Sequence, residues 1–333
     1  MRAPGFWWER PGAIAALLSP AAAIYGSVAA RMLAQPGTRA EIPVICIGNP
    51  TVGGAGKTPT AIAVARMLLA AGERPMILSR GYGGRIAGPV TADLGVHHAA
   101  DVGDEPLLLA RVAPTVVARD RVAGAQHARQ AGASVIVMDD GFQNPALAKD
   151  LSILVVDGRR GIGNGRVIPA GPLRAPLDPQ LARAHALMIV GEVSGAAPLV
   201  IAARARGLPL FHGVLEPDRE TVAALAGRRV LAFAGIGDPD KFFATVAAAG
   251  IDAPIRRDFP DHHRYRADEA AALLTEAQRN DLVPLTTEKD LARLQDDENG
   301  RELAARARAL PVSLNVMESD AFNRLVLGAV RPA

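Results

Sequence analysis

Three features of the chain predict an α/β fold. A Gly-rich stretch stands between an apolar β-branched run and a helical run, "IPVICIGNPTVGGAGKTPTAIAVARMLLAAG". Further short apolar runs alternate with helical segments over the next hundred residues, which builds a parallel sheet with helices on both faces. After a Pro-marked pause near residues 208–227 the strand–helix rhythm restarts, so we expect a smaller C-terminal α/β domain. The length of 333 residues fits about two domains. The boundaries expected are an N-terminal apolar segment at 1–40, a core domain at 41–207, a connection at 208–227 and a second domain at 228–333.

Composition narrows the class. At 49% hydrophobic and 21% charged the chain is an ordinary globular protein, not a disordered one. With 4% aromatics, its core must rest on Ala, Val, Leu and Ile. A formal net charge of +3 with no clustered basic stripe argues against nucleic acid. Cys46 is the one cysteine, so no internal disulfide can form, which suits a reducing compartment.

From Pro11 to Ala30 the N-terminal segment carries no charge. That is about the roughly 20 residues a spanning helix needs, but it is rich in Ala, Gly and Ser, and Pro20 interrupts it. Beyond Pro20, Ile24, Val28 and Met32 share one helical face. Phe6, Trp7 and Trp8 stand beside Arg2 and Arg10, a pairing suited to a membrane–water interface. A helix packed on the body of the protein is the alternative; an interfacial segment is favoured over a spanning one.

The core elements follow in order. Ile42–Gly48 reads as a buried strand, and a helix follows the Gly-rich loop until Gly72. Further strands are expected at Arg74–Ser79, Thr115–Ala118, Ser134–Asp140, Leu151–Asp157 and Ala186–Gly191. Strand, Gly-rich loop and helix are the setting of a phosphate-binding P-loop, although the first Gly of the usual pattern is replaced by Thr51. Thr51, Val52, Gly53, Gly54, Ala55, Gly56, Lys57 and Thr58 form the expected nucleotide site. The glycines let backbone N–H groups turn toward phosphate oxygens, and the following helix adds its positive N-terminal end. Lys57 would reach the β- and γ-phosphates, and Thr58 would ligate Mg²⁺. A second magnesium ligand is expected at the exit of the "VIVMDDGFQ" strand. There Asp139 fits the Walker B position, with Asp140 either a second carboxylate or a turn residue.

Loop and carboxylate indicate an NTPase or kinase. Further segments narrow the choice: "SRGYGG", "VGDEPLLLAR", "DDGFQ", "GNGRVIPAGPLR", "FAGIGDPDKF", "FPDHHRY" and "TTEKD". In this order, from about Ile42 to Asp290, they resemble the tetraacyldisaccharide 4′-kinase family. The resemblance implies a P-loop core with a smaller α/β domain and an active site in the cleft between them. It implies ATP as co-substrate and the 4′-hydroxyl of an acylated disaccharide lipid A precursor as acceptor. It also implies a place on the cytoplasmic face of the inner membrane, held by the N-terminus.

Roles carried over by the resemblance are a general base at Asp104 and a partner histidine at His262, with His263 less supported. Read from the residues alone, Asp104 is a helix N-cap with Pro106 behind it. "TTEKD" locally reads as a capping box of Thr287 and Asp290, leaving Glu288 and Lys289 as cleft candidates. Arg80, Arg121 and Arg174 are candidate phosphate contacts, and Gln143 and Asn144 candidate substrate contacts. The family commonly has His at Asn144 and Glu at Ala175, so roles of those side chains do not transfer.

In the second domain, strands are expected at Arg228–Ile236, near Ile255, at Leu282–Thr287 and at Pro311–Val316, with a closing helix over "SDAFNRLVLGAV". His262 on this domain and Lys57 on the core would require the two to approach, with closure excluding water. The rival reading is a membrane-associated partitioning-type ATPase switch. Its loop carries a Lys where this chain has Val52, and no NKxD motif supports a GTPase.

Overall fold

The structure, a computed structural model, describes residues 3–331; Arg2 lies outside them. Among the described residues thirteen strands form two sheets. They are β1 (Val44–Gly48), β2 (Pro75–Ser79), β3 (Val90–Thr91), β4 (Thr115–Val117), β5 (Val135–Asp139), β6 (Leu151–Asp157), β7 (Ala186–Val190), β8 (Leu210–Pro217), β9 (Arg229–Ala234), β10 (Asp252–Asp258), β11 (Val283–Thr286), β12 (Arg308–Ala309) and β13 (Val312–Val316). The large sheet runs β13-β8-β7-β6-β1-β5-β2-β4-β3 and the small one β10-β9-β11-β12. All pairings in the large sheet are parallel except at its edges, where β3 and β13 are antiparallel.

The central strands β1, β2, β5, β6 and β7 are buried along their whole length, as continuous apolar runs in a two-faced parallel sheet must be. Two apolar cores cover the two faces, one around Ile136, Met138 and Phe142, the other around Ile45, Ile47, Leu68 and Phe322. β1 lies between β5 and β6. The chain therefore leaves β1 and β5 at neighbouring carboxyl ends, where doubly wound sheets bind ligands.

Three features depart from the sequence reading. First, α1 (Ala13–Ala34) continues through Pro20. Proline frees the carbonyl of Ala16 four residues back, and Ala16 is exposed, so water can satisfy it. Second, the expected connection at 208–227 contains β8, a strand of the large sheet. Third, β13 and the Ser319–Val330 helix, expected in the second domain, belong to the core. β13 pairs with β8 from Val312↔Pro217 to Val316↔Gly213, and Phe322 and Val326 fill the core beside Phe211. A five-residue strand of alternating burial has no local signal for which sheet it joins. The small sheet with its helices is thus inserted between β8 and β13.

α1 buries Ala15, Ala22, Gly26 and Leu33 and exposes Leu17 (80%), Ile24 (71%), Ile14 and Val28. By length and composition it could cross a membrane.

Candidate active site

The Gly-rich loop leaves β1 and enters α2 (Lys57–Ala70). Gly56, at φ +98, precedes the first helical residue, and a Cβ there would lie 3.2 Å from a Val190 methyl. Both the left-handed backbone and the close approach call for glycine. The loop's unusual first corner is stitched down. Thr51 is buried and bridges Leu173, Val52 N donates to Pro172 O at 2.9 Å, and Arg174 Nε donates to Thr51 O at 3.1 Å. The loop faces a cleft lined also by Trp8, Asp157, Arg160 and Gly161.

Asp139 ends β5 beside this loop. Its side chain is 2% exposed, and Oδ1 has no hydrogen-bond partner among the described residues. Burial, reinforced by the charges of Glu105 and Asp140, pushes its carboxyl up to about 7 despite Lys57 and Lys289. A buried, unpartnered carboxylate oxygen fits a hard cation, and Mg²⁺ takes one or two protein ligands with water and phosphates completing its shell. The buried Thr58 stands at the start of α2. Asp140 is engaged differently. Its φ of 50 turns it out of the strand, and it takes Arg174 Nη1 at 2.9 Å and Nη2 at 3.2 Å, with Lys57 Nζ at 3.7 Å. Burial raises its carboxyl, but Lys57 and Arg174 outweigh that and hold it below the usual range.

Asp104 is the first residue of its helix, not the cap. The cap is Gly103 at φ +91, where a Cβ would come 2.5 Å from Tyr82 O. The Asp104 carboxylate is therefore released from capping. It is buried (4% exposed) and faces the inserted unit. Oδ1 lies 3.6 Å from His262 Nδ1, an ion-pair contact slightly longer than a hydrogen bond. Oδ2 takes Arg293 Nε at 2.9 Å and Nη2 of the same guanidinium. Burial would raise this carboxyl, yet His262, Arg293 and Lys289 hold it well below the usual carboxylate range. Asp104 in turn raises His262. His262 sits at φ 56, a costly backbone for a non-glycine residue, with the Tyr82 ring centroid at 5.1 Å.

The remaining candidates divide. Lys289 enters the cleft, pairs with Glu105 at 2.5 Å and has its ammonium favoured by that carboxylate and by Asp104 against burial. Arg121 is buried, donates to Ala118 O and leaves its Nε without a partner among the described residues. Gln143 holds the loop entry through Asn49 O at 2.9 Å. Asn144 accepts from Ala146 N in a local turn, and Arg80 is exposed. Glu288 points instead toward Arg111 at 4.0 Å. His263 is taken up by Glu269 at 2.7 Å and stacks on Phe259. Only half of the "TTEKD" capping box forms. Thr287 caps Asp290 N, but the Asp290 carboxylate serves Gly235 N, Tyr265 and Arg293. Sequence reasoning missed Arg293 and Glu105. Glu105 adjoins Asp104 in the "GDEP" motif, whereas nothing local marks Arg293.

The inserted unit closes over the loop through charge pairs. Lys241 meets Asp157 at 3.0 Å, and Arg160 meets Asp238 at 2.9 Å while its guanidinium lies 4.9 Å from the Trp8 ring. Comparison with known proteins bears on the family and the fold. The family described as LpxK, Tetraacyldisaccharide-1-P 4'-kinase, matches residues 14–331. A tetraacyldisaccharide 4'-kinase of Rhodopseudomonas palustris (strain BisB18) is 55% identical over 98% of this chain and 95% of its own length. One from Methylobacterium sp. (strain 4-46) is 55% identical over 96% and 95%. A crystal structure of the "apo" form of LpxK from Aquifex aeolicus in complex with ATP has a TM-score of 0.72 at 25% identity, covering 96% of this chain and all of that one.

Proposed function

The chain belongs to the tetraacyldisaccharide-1-P 4′-kinase family, and from that premise we propose how its own residues carry the reaction. The activity is ATP-dependent phosphorylation of the 4′-hydroxyl of the tetraacyldisaccharide 1-phosphate, a step of lipid A biosynthesis. The observation that carries the mechanism is the meeting of Asp104 from the core with His262 from the inserted unit, in the cleft that also holds Lys57 and Asp139.

The backbone N–H groups of Gly53–Thr58 cradle the phosphates, and Lys57 neutralises charge on the β- and γ-oxygens. Asp139 and Thr58 would hold Mg²⁺, which when bound supplies charge neutralisation between the phosphates. Asp140 supports them indirectly by fixing Lys57 and Arg174. Asp104 accepts the proton of the 4′-hydroxyl as its oxygen bonds to the γ-phosphorus, and the bond from that phosphorus to the β–γ bridging oxygen breaks, releasing ADP. His262 orients Asp104 and shares the proton afterwards. Phosphoryl transfer asks chiefly for positioning and charge stabilisation, which these buried charged groups provide.

The exposed apolar face of α1 supports a monotopic seat on an anionic membrane surface at the cytoplasmic side, where ATP is available. Ile14, Leu17, Ile24 and Val28 face outward while Ala15, Ala22, Gly26 and Leu33 pack inward. The assay is incubation with γ-labelled ATP and the tetraacyldisaccharide 1-phosphate in mixed micelles. Label on the lipid is expected; ATP hydrolysis with an unlabelled lipid would overturn the mechanism.

A further inference from the structure

The two ends of the Asp104 carboxylate are treated unequally. Arg–carboxylate pairs are frequently fork-to-fork, each N–H on a separate carboxylate oxygen. Here Nε and Nη2 of Arg293 both converge on Oδ2. Oδ1 is left to face His262. The guanidinium cannot swing, because its other arm is also engaged: Nη1 donates to Gly235 O at 2.8 Å and to Asp290 Oδ1 at 2.8 Å. Asp290 is fully buried and is itself fixed by Gly235 N at 3.1 Å, Tyr265 OH at 3.1 Å and Thr287 Oγ1 at 2.7 Å. Tyr265 packs edge-on against Phe233 in the core of the inserted unit.

Resting on the reading of Asp104 as the base, we propose that Arg293 is its positioning residue, gripping Oδ2 so that Oδ1 alone is presented to the acceptor hydroxyl. Arg293 stands on the Glu288–Asp296 helix of the inserted unit, and Asp104 on the core. The base is thus aimed only when the unit that carries His262 is docked. The charged groups facing Asp104 are Arg293 and Lys289 from that helix, His262 from the loop after β10 and Glu105 from its own helix. Arg293 is the one that touches the carboxylate twice. It also keeps a buried carboxyl ionised, and only an ionised carboxyl can accept a proton.

The test compares Arg293→Met, Arg293→Lys, Arg293→Ala and Asp104→Asn by kcat, KM for each substrate and the pH profile of kcat/KM. Loss of aim predicts a kcat lower by roughly 100-fold in Arg293→Met, within the range of general-base effects, with KM for ATP little changed. The acid limb of kcat/KM should move to higher pH, because the buried carboxyl loses one of the cations that, with His262, keep it ionised. Added guanidinium should restore part of the rate of Arg293→Ala. A wild-type rate in Arg293→Met, or a loss equal at every pH with no guanidinium rescue, overturns the proposal. Should Arg293→Met fail to fold, Arg293→Lys decides: a point charge cannot place two N–H groups on Oδ2, so kcat should still fall at least roughly 10-fold, and full activity refutes the idea. An active Asp104→Asn overturns the base reading itself. An inactive Asp104→Asn beside a normal Arg293→Met overturns the positioning role alone.

Discussion

Replacing Asp139 by Asn should make the protein more stable and inactive at once. The carboxyl is 2% exposed, one oxygen lacks a partner among the described residues, and Glu105 and Asp140 add negative charge nearby. Together these raise it from 3.8 to about 7. In the unfolded chain the same group ionises in the ordinary range. Between about pH 4 and 7 the folded state therefore holds a proton that the unfolded state releases. Stability from this group is fully present below about pH 4, falls as pH rises through about 7 and is flat above that. At 1.36 kcal/mol per pH unit the ceiling is about 4 kcal/mol above pH 8. Burying an imperfectly paired amide instead costs roughly 1–2 kcal/mol, leaving a net gain of about 2–3 kcal/mol. At about 2 °C per kcal/mol in a chain of this size, the variant should melt roughly 4–6 °C above wild type near pH 8. Near pH 5 the two should differ little or the order should reverse. Mg²⁺ with ATP should raise the wild-type melting temperature more than that of the variant and so narrow the alkaline gap. Scanning calorimetry across pH, with and without Mg²⁺–ATP, measures all of this. A gap of equal size at both ends of the range, or a variant that melts lower at alkaline pH, refutes the account of Asp139 as a strained ligand.

Other substitutions probe the remaining parts. Lys57→Ala should abolish label transfer to the lipid, while circular dichroism remains that of the wild type. Asp104→Ala should reduce kcat by roughly 10²–10⁴-fold, and near-normal turnover would remove it as the base. Leu17→Glu with Ile24→Glu should release the protein from anionic vesicles in a flotation assay, since each buried apolar side chain contributes roughly 1.5–3 kcal/mol. Their activity on a short-chain, micelle-free acceptor should stay near wild type, and undiminished flotation would remove α1 as the membrane contact.

What the sequence disclosed depended on the range over which each signal is written. The β1–loop–α2 unit is contiguous, so its apolar run, glycines and Lys-Thr pair could be read together. Asp139 was legible for the same reason, as the polar end of an apolar strand. Asp104 shows where local reading misleads. A carboxylate before a Pro-containing turn resembles an N-cap, but Gly103 takes that position and frees the side chain. Arg293 was invisible. It is one arginine on an amphipathic helix, and its partner lies 189 residues earlier on another unit. Its role exists only once the two units dock. The same holds for β13. Its alternating pattern predicts a strand, but joining β8 rather than the nearby small sheet is settled by packing around Phe211, Phe322 and Val326. At α1, tertiary packing and solvent access around Ala16 outweighed the helix-breaking tendency of Pro20.

The place of β13 also sets an order of assembly. A ribosome delivers β8 early and β13 only after the whole four-stranded unit has emerged. Until then the large sheet has an open edge at β8. The helix α2, which begins with Lys57, also lacks its contacts with β13 and the Ser319–Val330 helix. Contacts of such long sequence separation close slowly. The nucleotide-binding core therefore cannot be completed until the unit that supplies His262 and Arg293 has been synthesised, so a chain halted before β13 holds the phosphate loop in an unfinished sheet.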